Sequence, residues 1–237
     1  MDTFNNIGID GKLDWQRIRK LMIIGLLAGI MVFVGDMILG YGVYDDSLTG
    51  LERTLAQKAA KTDSQLFWAA FLGLIGIPLE GLTYFSIYRL MAERSPKHAH
   101  SYRSGILGMA IFGGCGVHVS CISVVYFYKY LTLAGDPQAF ERTIDFAKYF
   151  LLPATIIFLI FFLVLVITQI SAFAKGLTPY PKWCWIFSLL FGIVFMAVLK
   201  LFGNKALVNG LSTAWISIGD IWMYGGLLLM MKKAKSN

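Results

Sequence analysis

LMIIGLLAGIMVFVGDMILGYGV, residues 21–43, decides the fold. It exceeds the ~20 residues that a helix needs to cross ~30 Å of hydrocarbon. Its one charged residue is Asp36, inside Gly35-Asp36. An ionised carboxylate at membrane depth costs several kcal/mol, so such a group is expected to face a cavity or a partner. The stretch therefore reads as a membrane span with a polar spot. The small-xxx-small pair Gly25 and Gly29 lets another helix approach closely.

Outward from that span, similar apolar blocks recur. The 237 residues are 57% hydrophobic and 15% charged, with mean hydropathy +0.65. A soluble domain averages about 45–50% apolar and roughly 25% charged. The blocks predict an all-α, polytopic transmembrane bundle of six helices in one domain, 1–237. Its spans fall at about 21–44, 66–92, 104–132, 149–174, 183–202 and 206–231. Thirteen Lys and Arg then lie on the side of the termini and eight on the other, which places both termini in the cytoplasm of a multi-pass cell-membrane protein. The net charge of +7 belongs to span ends and anionic lipid rather than to nucleic acid. Residues 1–20 are too polar for a secretory leader, so the first block is expected to be retained.

Local signals refine this picture. Asp14 is placed to cap a helix from Trp15. Thr49-Gly50-Leu51-Glu52 fits a capping box opening a short amphipathic helix on the membrane surface. Pro78 is expected to kink the second span just before Glu80. Asp136-Pro137 should cap a helix with proline in first position. Cys115 and Cys121 lie about 240° apart on one helix, so they cannot bridge. With Cys184 they read as small buried apolar residues.

The chemistry-bearing candidates are Asp36, Glu80, His118 and Asp220, isolated polar groups in four different spans. Gly219-Asp220 repeats the Gly-Asp pair of the first span. Asn209, Thr213, Ser217, Asp220 and Tyr224 fall within about 80° of one another on an ideal helix, a stripe that must look inward. Tyr84 and Tyr41 join them as candidate substrate- or ion-binding residues. Three acids with no intramembrane Lys or Arg require protonation, a cation or the histidine to balance them.

Two acids sharing a proton can split into base and acid, which makes Asp36 and Asp220 the expected catalytic pair, with Glu80 or His118 orienting substrate or shuttling protons. That reading gives a membrane-embedded acid–base hydrolase acting on a lipid-like substrate. Glu80 beside Pro78 also suits a proton- or cation-coupled carrier of a small molecule, although no inverted repeat relates the two halves. A non-catalytic lipid-binding protein is the third reading. A metal site on the Asp, Glu and His groups is a further reading, in which one intramembrane histidine and no thiolate cluster fit zinc poorly and a harder, oxygen-loving ion suits better. His98-Ala-His100 lies in a solvated loop, and the cofactor is left open. No Walker, Gly-x-Ser-x-Gly or His-Glu-x-x-His motif occurs.

Ser217-Ile-Gly219-Asp220 resembles the Gly-x-Gly-Asp of intramembrane aspartyl proteases and prepilin peptidases, with Ser217 in place of the first glycine and no partner tyrosine-aspartate motif. The order Gly35-Asp36, His118, Gly219-Asp220 resembles that of lysoplasmalogenase-like membrane proteins. That likeness implies cleavage of a lipid-like vinyl ether or ester. Over nearly its full length the chain resembles uncharacterised six-span bacterial integral membrane proteins with Gly-Asp in the first span, which implies an architecture and no activity.

Overall fold

The computed structural model describes residues 13–236. The expectations for residues 1–12 lie outside them. Among the described residues the chain is all-helical, without a strand. Helix α1, Trp15–Gly40, starts at Asp14, whose Oδ1 accepts the Arg17 amide at 2.9 Å. A short amphipathic helix, α2, covers Gly50–Ala59. Next come α3, Asp63–Thr83, and α4, Phe85–Ala92, interrupted only at Tyr84. Helix α5, Pro96–Ile111, passes through a π-helical segment, Phe112–Val119, into α6, Ser120–Leu133. Amphipathic α7, Ala139–Phe150, leads to α8, Leu152–Ala174. The chain ends with α9, Leu190–Leu199, α10, Ala206–Thr213, and α11, Trp215–Lys235.

Four of these units are long and apolar enough to cross a bilayer: 15–40, 63–92, 96–133 and 152–174. Helices α10 and α11 make a fifth if they count as one span, and they meet at a 67° bend. The expected straight span at 206–231 is thus broken at Ala214. Near the break, the Thr213 hydroxyl donates to the Asn209 carbonyl at 2.9 Å, and Ser217 Oγ lies 3.0 Å from the Ala214 carbonyl. The Ala214 carbonyl also accepts the Ile218 amide at 2.9 Å, so the serine is a second donor to it, and hydroxyl back-bonding of this kind accompanies helix bending. The expected span 183–202 differs more. It holds a 3-10 turn at Lys182–Ile186, a break, and an apolar helix over Leu190–Phe202. That helix reaches only about 20 Å at 1.5 Å per residue.

Several local expectations change as well. Thr49 makes no side-chain cap, and Gly50 after it opens α2 at φ +57°. The capping box forms instead at Thr62, whose Oγ1 accepts the Gln65 amide while its own amide donates to Gln65 Oε1. Pro78, expected to kink its span, lies inside α3, with its ring beside Gly114 of the π segment. Helix α7 starts two residues after Pro137, and Asp136 Oδ1 accepts the Gln138 amide in a turn. Cys115 is exposed, on the outward side of the π segment, and only Cys184 is fully buried.

Helix α1 is the hub, packed on α3, α10 and α11. At Gly25 a β-carbon would run into the Tyr224 ring and the Thr83 hydroxyl, so the expected close approach is made to α11 and the end of α3. The carbonyls after α1 find donors from later elements. Gln57 Nε2 donates to Gly40, Lys61 Nζ to Tyr41, Asn209 Nδ2 to Gly42 and Asn204 Nδ2 to Tyr44. Such bonds satisfy the orphan acceptors of a helix end.

Candidate functional site

Four elements bring the polar groups inward. Asp36 stands on the last third of α1, Glu80 on α3, His118 in the π segment and Asp220 on α11. Asp36 is 9% exposed, Glu80 1% and Asp220 0%. Ser217 Oγ lies 3.0 Å from Asp36 Oδ2, and this carboxyl shares the hydroxyl proton with the Ala214 carbonyl.

His118 is fixed by its far nitrogen. Nε2 lies 2.9 Å from the Ala69 carbonyl, which can only accept, so Nε2 carries the proton. In the neutral ring the lone pair of Nδ1 then faces Asp36 Oδ1, 3.9 Å away. That separation is too long for a direct hydrogen bond and short enough for one water to bridge the two acceptors. The ring occupies space that Gly73 leaves open.

Asp220 is held differently. Tyr84 Oη donates to its Oδ1 at 2.8 Å, and the Tyr84 ring stacks on Tyr224 at 6.1 Å and 20°. Thr83 gives its proton to the Glu80 carbonyl, so Tyr224 Oη donates to Thr83 Oγ1 at 2.8 Å. Among the described residues Asp220 Oδ2 and Glu80 Oε1 are buried with no hydrogen-bond partner. The charged neighbours of Glu80 are Asp220 and Asp36.

Asp36, Glu80 and His118 line one cavity of about 430 Å³, together with Thr213. Its lining includes the part-exposed Tyr44, Thr54 and Lys58 and the exposed Lys200, and the buried Ile77, Glu80, Met109 and Phe158. The remaining expected site residues stand elsewhere. Asp220, Ser217, Tyr84 and Tyr224 form the layer behind the cavity wall. The expected Asp36–Asp220 pair is thereby rearranged. No hydrogen bond joins the two among the described residues, and each holds its own hydroxyl, with Glu80 the carboxyl that neighbours both. The 67° bend divides the expected stripe, leaving Asn209 and Thr213 on α10 and the rest on α11. Asn209 binds the Gly42 carbonyl at 2.7 Å. Tyr41 is 53% exposed, and its carbonyl rather than its ring is engaged.

Sequence reasoning missed Tyr44, Lys58, Lys200 and Ser212 on the cavity wall. Thr54 and Lys58 are one helical turn apart, which puts them on one face. Nothing in the spacing says that this face meets α1. His98 bonds Ser95 Oγ at 2.7 Å and Ser171 Oγ at 3.2 Å, which ties α5 to α8. Among the described residues no group of three His, Cys, Asp or Glu is placed to hold a metal ion.

Over residues 4–234 the sequence matches a family of unknown function, DUF6796. The chain belongs to that family. No curated protein and no solved structure matches it. In this DUF6796 member, the buried carboxyls, the fixed imidazole and the cavity are therefore what speaks to function. The cavity brings together two carboxyls and one imidazole, residue types that general acid–base chemistry uses.

Proposed function

We propose that this DUF6796 member is a membrane-embedded acid–base hydrolase acting on a lipid-like substrate. Its setting is a six-span bundle of the cell membrane with both termini in the cytoplasm. One observation carries the reading: carboxyl and imidazole groups from three separate helical units line a single cavity whose lining is otherwise both polar and apolar. Asp36 and His118 together take a proton from the attacking water, while Glu80, in its acid form, gives one to the leaving oxygen. The bond broken is carbon–oxygen, and water supplies the new hydroxyl and hydrogen. Ser217 and Tyr84 are positioning residues, acting through Asp36 and Asp220. The likeness to lysoplasmalogenase-like proteins favours vinyl ethers and esters among possible substrates.

The test is turnover by the purified chain in nanodiscs against ester and vinyl-ether lipids, followed by mass spectrometry of the products. Asp36→Asn and His118→Ala should each lose about 10²–10⁴-fold in rate, the range of general acid–base catalysis. Absence of turnover across the panel sinks the hydrolase.

A proton- or cation-coupled carrier is the second reading, favoured by the broken α10–α11 unit beside two unpartnered carboxyl oxygens. Broken helices commonly flank ion sites in carriers. Proton-coupled uptake into vesicles that Glu80→Gln abolishes would select it. Lipid binding with neither turnover nor uptake would leave the non-catalytic lipid binder.

A further inference from the structure

We propose that the mouth formed by Arg53, Lys58 and Lys200 binds the phosphate-type anionic head of a single-chain amphipath, whose apolar body enters the acid-lined cavity. This rests on the cavity being the ligand site of the hydrolase reading, and it names the chemical class of that ligand.

A second cavity of about 380 Å³ adjoins the first and shares Tyr44, Thr54, Lys200 and Ser212 with it. Arg53 lines this outer chamber and Lys58 lines the deeper cavity near the junction. Among the described residues no carboxylate lines the outer chamber, although Asp46 bonds its Arg53 and Asn204. Among the described residues Lys58 and Lys200 enter no ion pair, although the field of Lys58 reaches Asp36. Arg53 pairs through Nη2 with Asp46, a largely exposed side chain, and its guanidinium lies 5.3 Å from the Tyr44 ring centroid. Its Nε is buried and has no partner. Ser212 Oγ, on the wall common to both chambers, is also buried without a partner.

Helix α2 adds to this. Thr49 leaves its first turn without a side-chain cap, and Gly50 of that turn lines the chamber. Uncapped amides at a helix start favour an anion. Two lysines, a guanidinium nitrogen, a hydroxyl and backbone amides are all donors. They suit an oxyanion with several acceptor oxygens. Further in, Val32, Leu39, Val117, Phe158 and Trp215 offer hydrocarbon and aromatic surface. A neutral lipid leaves Lys58 and Lys200 unmatched, and a free oxyanion leaves those walls wet. An anionic amphipath satisfies both.

Binding to the full chain in nanodiscs of zwitterionic lipid decides the matter, with three probes: a lysophosphatidic acid, the monoacylglycerol of the same chain length, and inorganic phosphate. The lysophosphatidic acid should bind at least tenfold more tightly than either of the others. Lys58→Gln combined with Lys200→Gln should erase that preference, and the corresponding Arg pair should restore it. Equal binding of the monoacylglycerol, or a preference that survives the double Gln variant, overturns the head site. Inorganic phosphate binding as tightly as the amphipath overturns the amphipathic ligand. The readout is binding alone. A phosphate amphipath held tightly but never cleaved therefore overturns the hydrolase and not this inference. Cleavage of neutral lipids with no phosphate preference does the reverse.

Discussion

Gly73 of α3 faces the imidazole of His118 so closely that a β-carbon at residue 73 would overlap the ring. The glycine is what allows Nε2 to reach the Ala69 carbonyl and Nδ1 to face Asp36. Gly73→Ala should displace the ring. Overpacking of this kind costs about 1–3 kcal/mol. The expected result is a lowered melting temperature and, in the hydrolase reading, a rate as low as that of His118→Ala. Wild-type rate in Gly73→Ala would mean that the ring position does not matter.

Ser217 is the hydroxyl donor to Asp36. Ser217→Ala leaves a buried carboxyl oxygen short of a partner, worth about 1–3 kcal/mol. Turnover should fall less than in Asp36→Asn, because the carboxyl remains and only its orientation loosens. A rate loss equal to that of Asp36→Asn, with folding intact, would promote Ser217 from support to chemistry.

Tyr84→Phe removes the hydrogen bond to Asp220 Oδ1 and leaves that carboxyl with no partner at either oxygen. Destabilisation of about 1–3 kcal/mol is expected. In a double-mutant cycle with Asp220→Ala, which removes the acceptor, the coupling energy should fall within about 0.5–3 kcal/mol. Additive effects in thermal or denaturant unfolding would refute the contact.

Asn204 joins two distant stretches. It accepts the Tyr44 amide at 2.9 Å and the Asn209 side-chain amide at 3.0 Å, and donates to the Tyr44 carbonyl and Asp46. Asn204→Ala should release the segment after α1, seen as amide exchange at Tyr44 faster by at least tenfold. Unchanged protection there would show that the segment is held by other bonds.

Part of this architecture was legible in the residues. Blocks of apolar sequence mark α1, the 63–92 and 96–133 units and α8, since only long apolar helices satisfy their own backbone in hydrocarbon. Asp14 announced its cap, and Gly25 its close contact. The π segment and the break at Ala214 were not legible, because a run of glycines or hydroxyls is compatible with a straight helix until neighbours compete for its backbone. The polar stripe from Asn209 to Tyr224 was drawn on an unbroken helix, and the bend divided it.

The amino-acid sequence by itself determined which polar groups would be forced inward. A lone Asp36, Glu80, His118 or Asp220 amid apolar neighbours has nowhere favourable to point but the protein interior, wherever its helix lies. Tertiary structure alone decided which of them meet. The rotation and bending of each helix turned Asp36, Glu80 and His118 onto one cavity and put Asp220 behind its wall against Tyr84. Lys58 and Lys200 were carried to its mouth in the same way. Hydropathy reports how apolar a stretch is; the direction of a side chain is settled only by what packs against it.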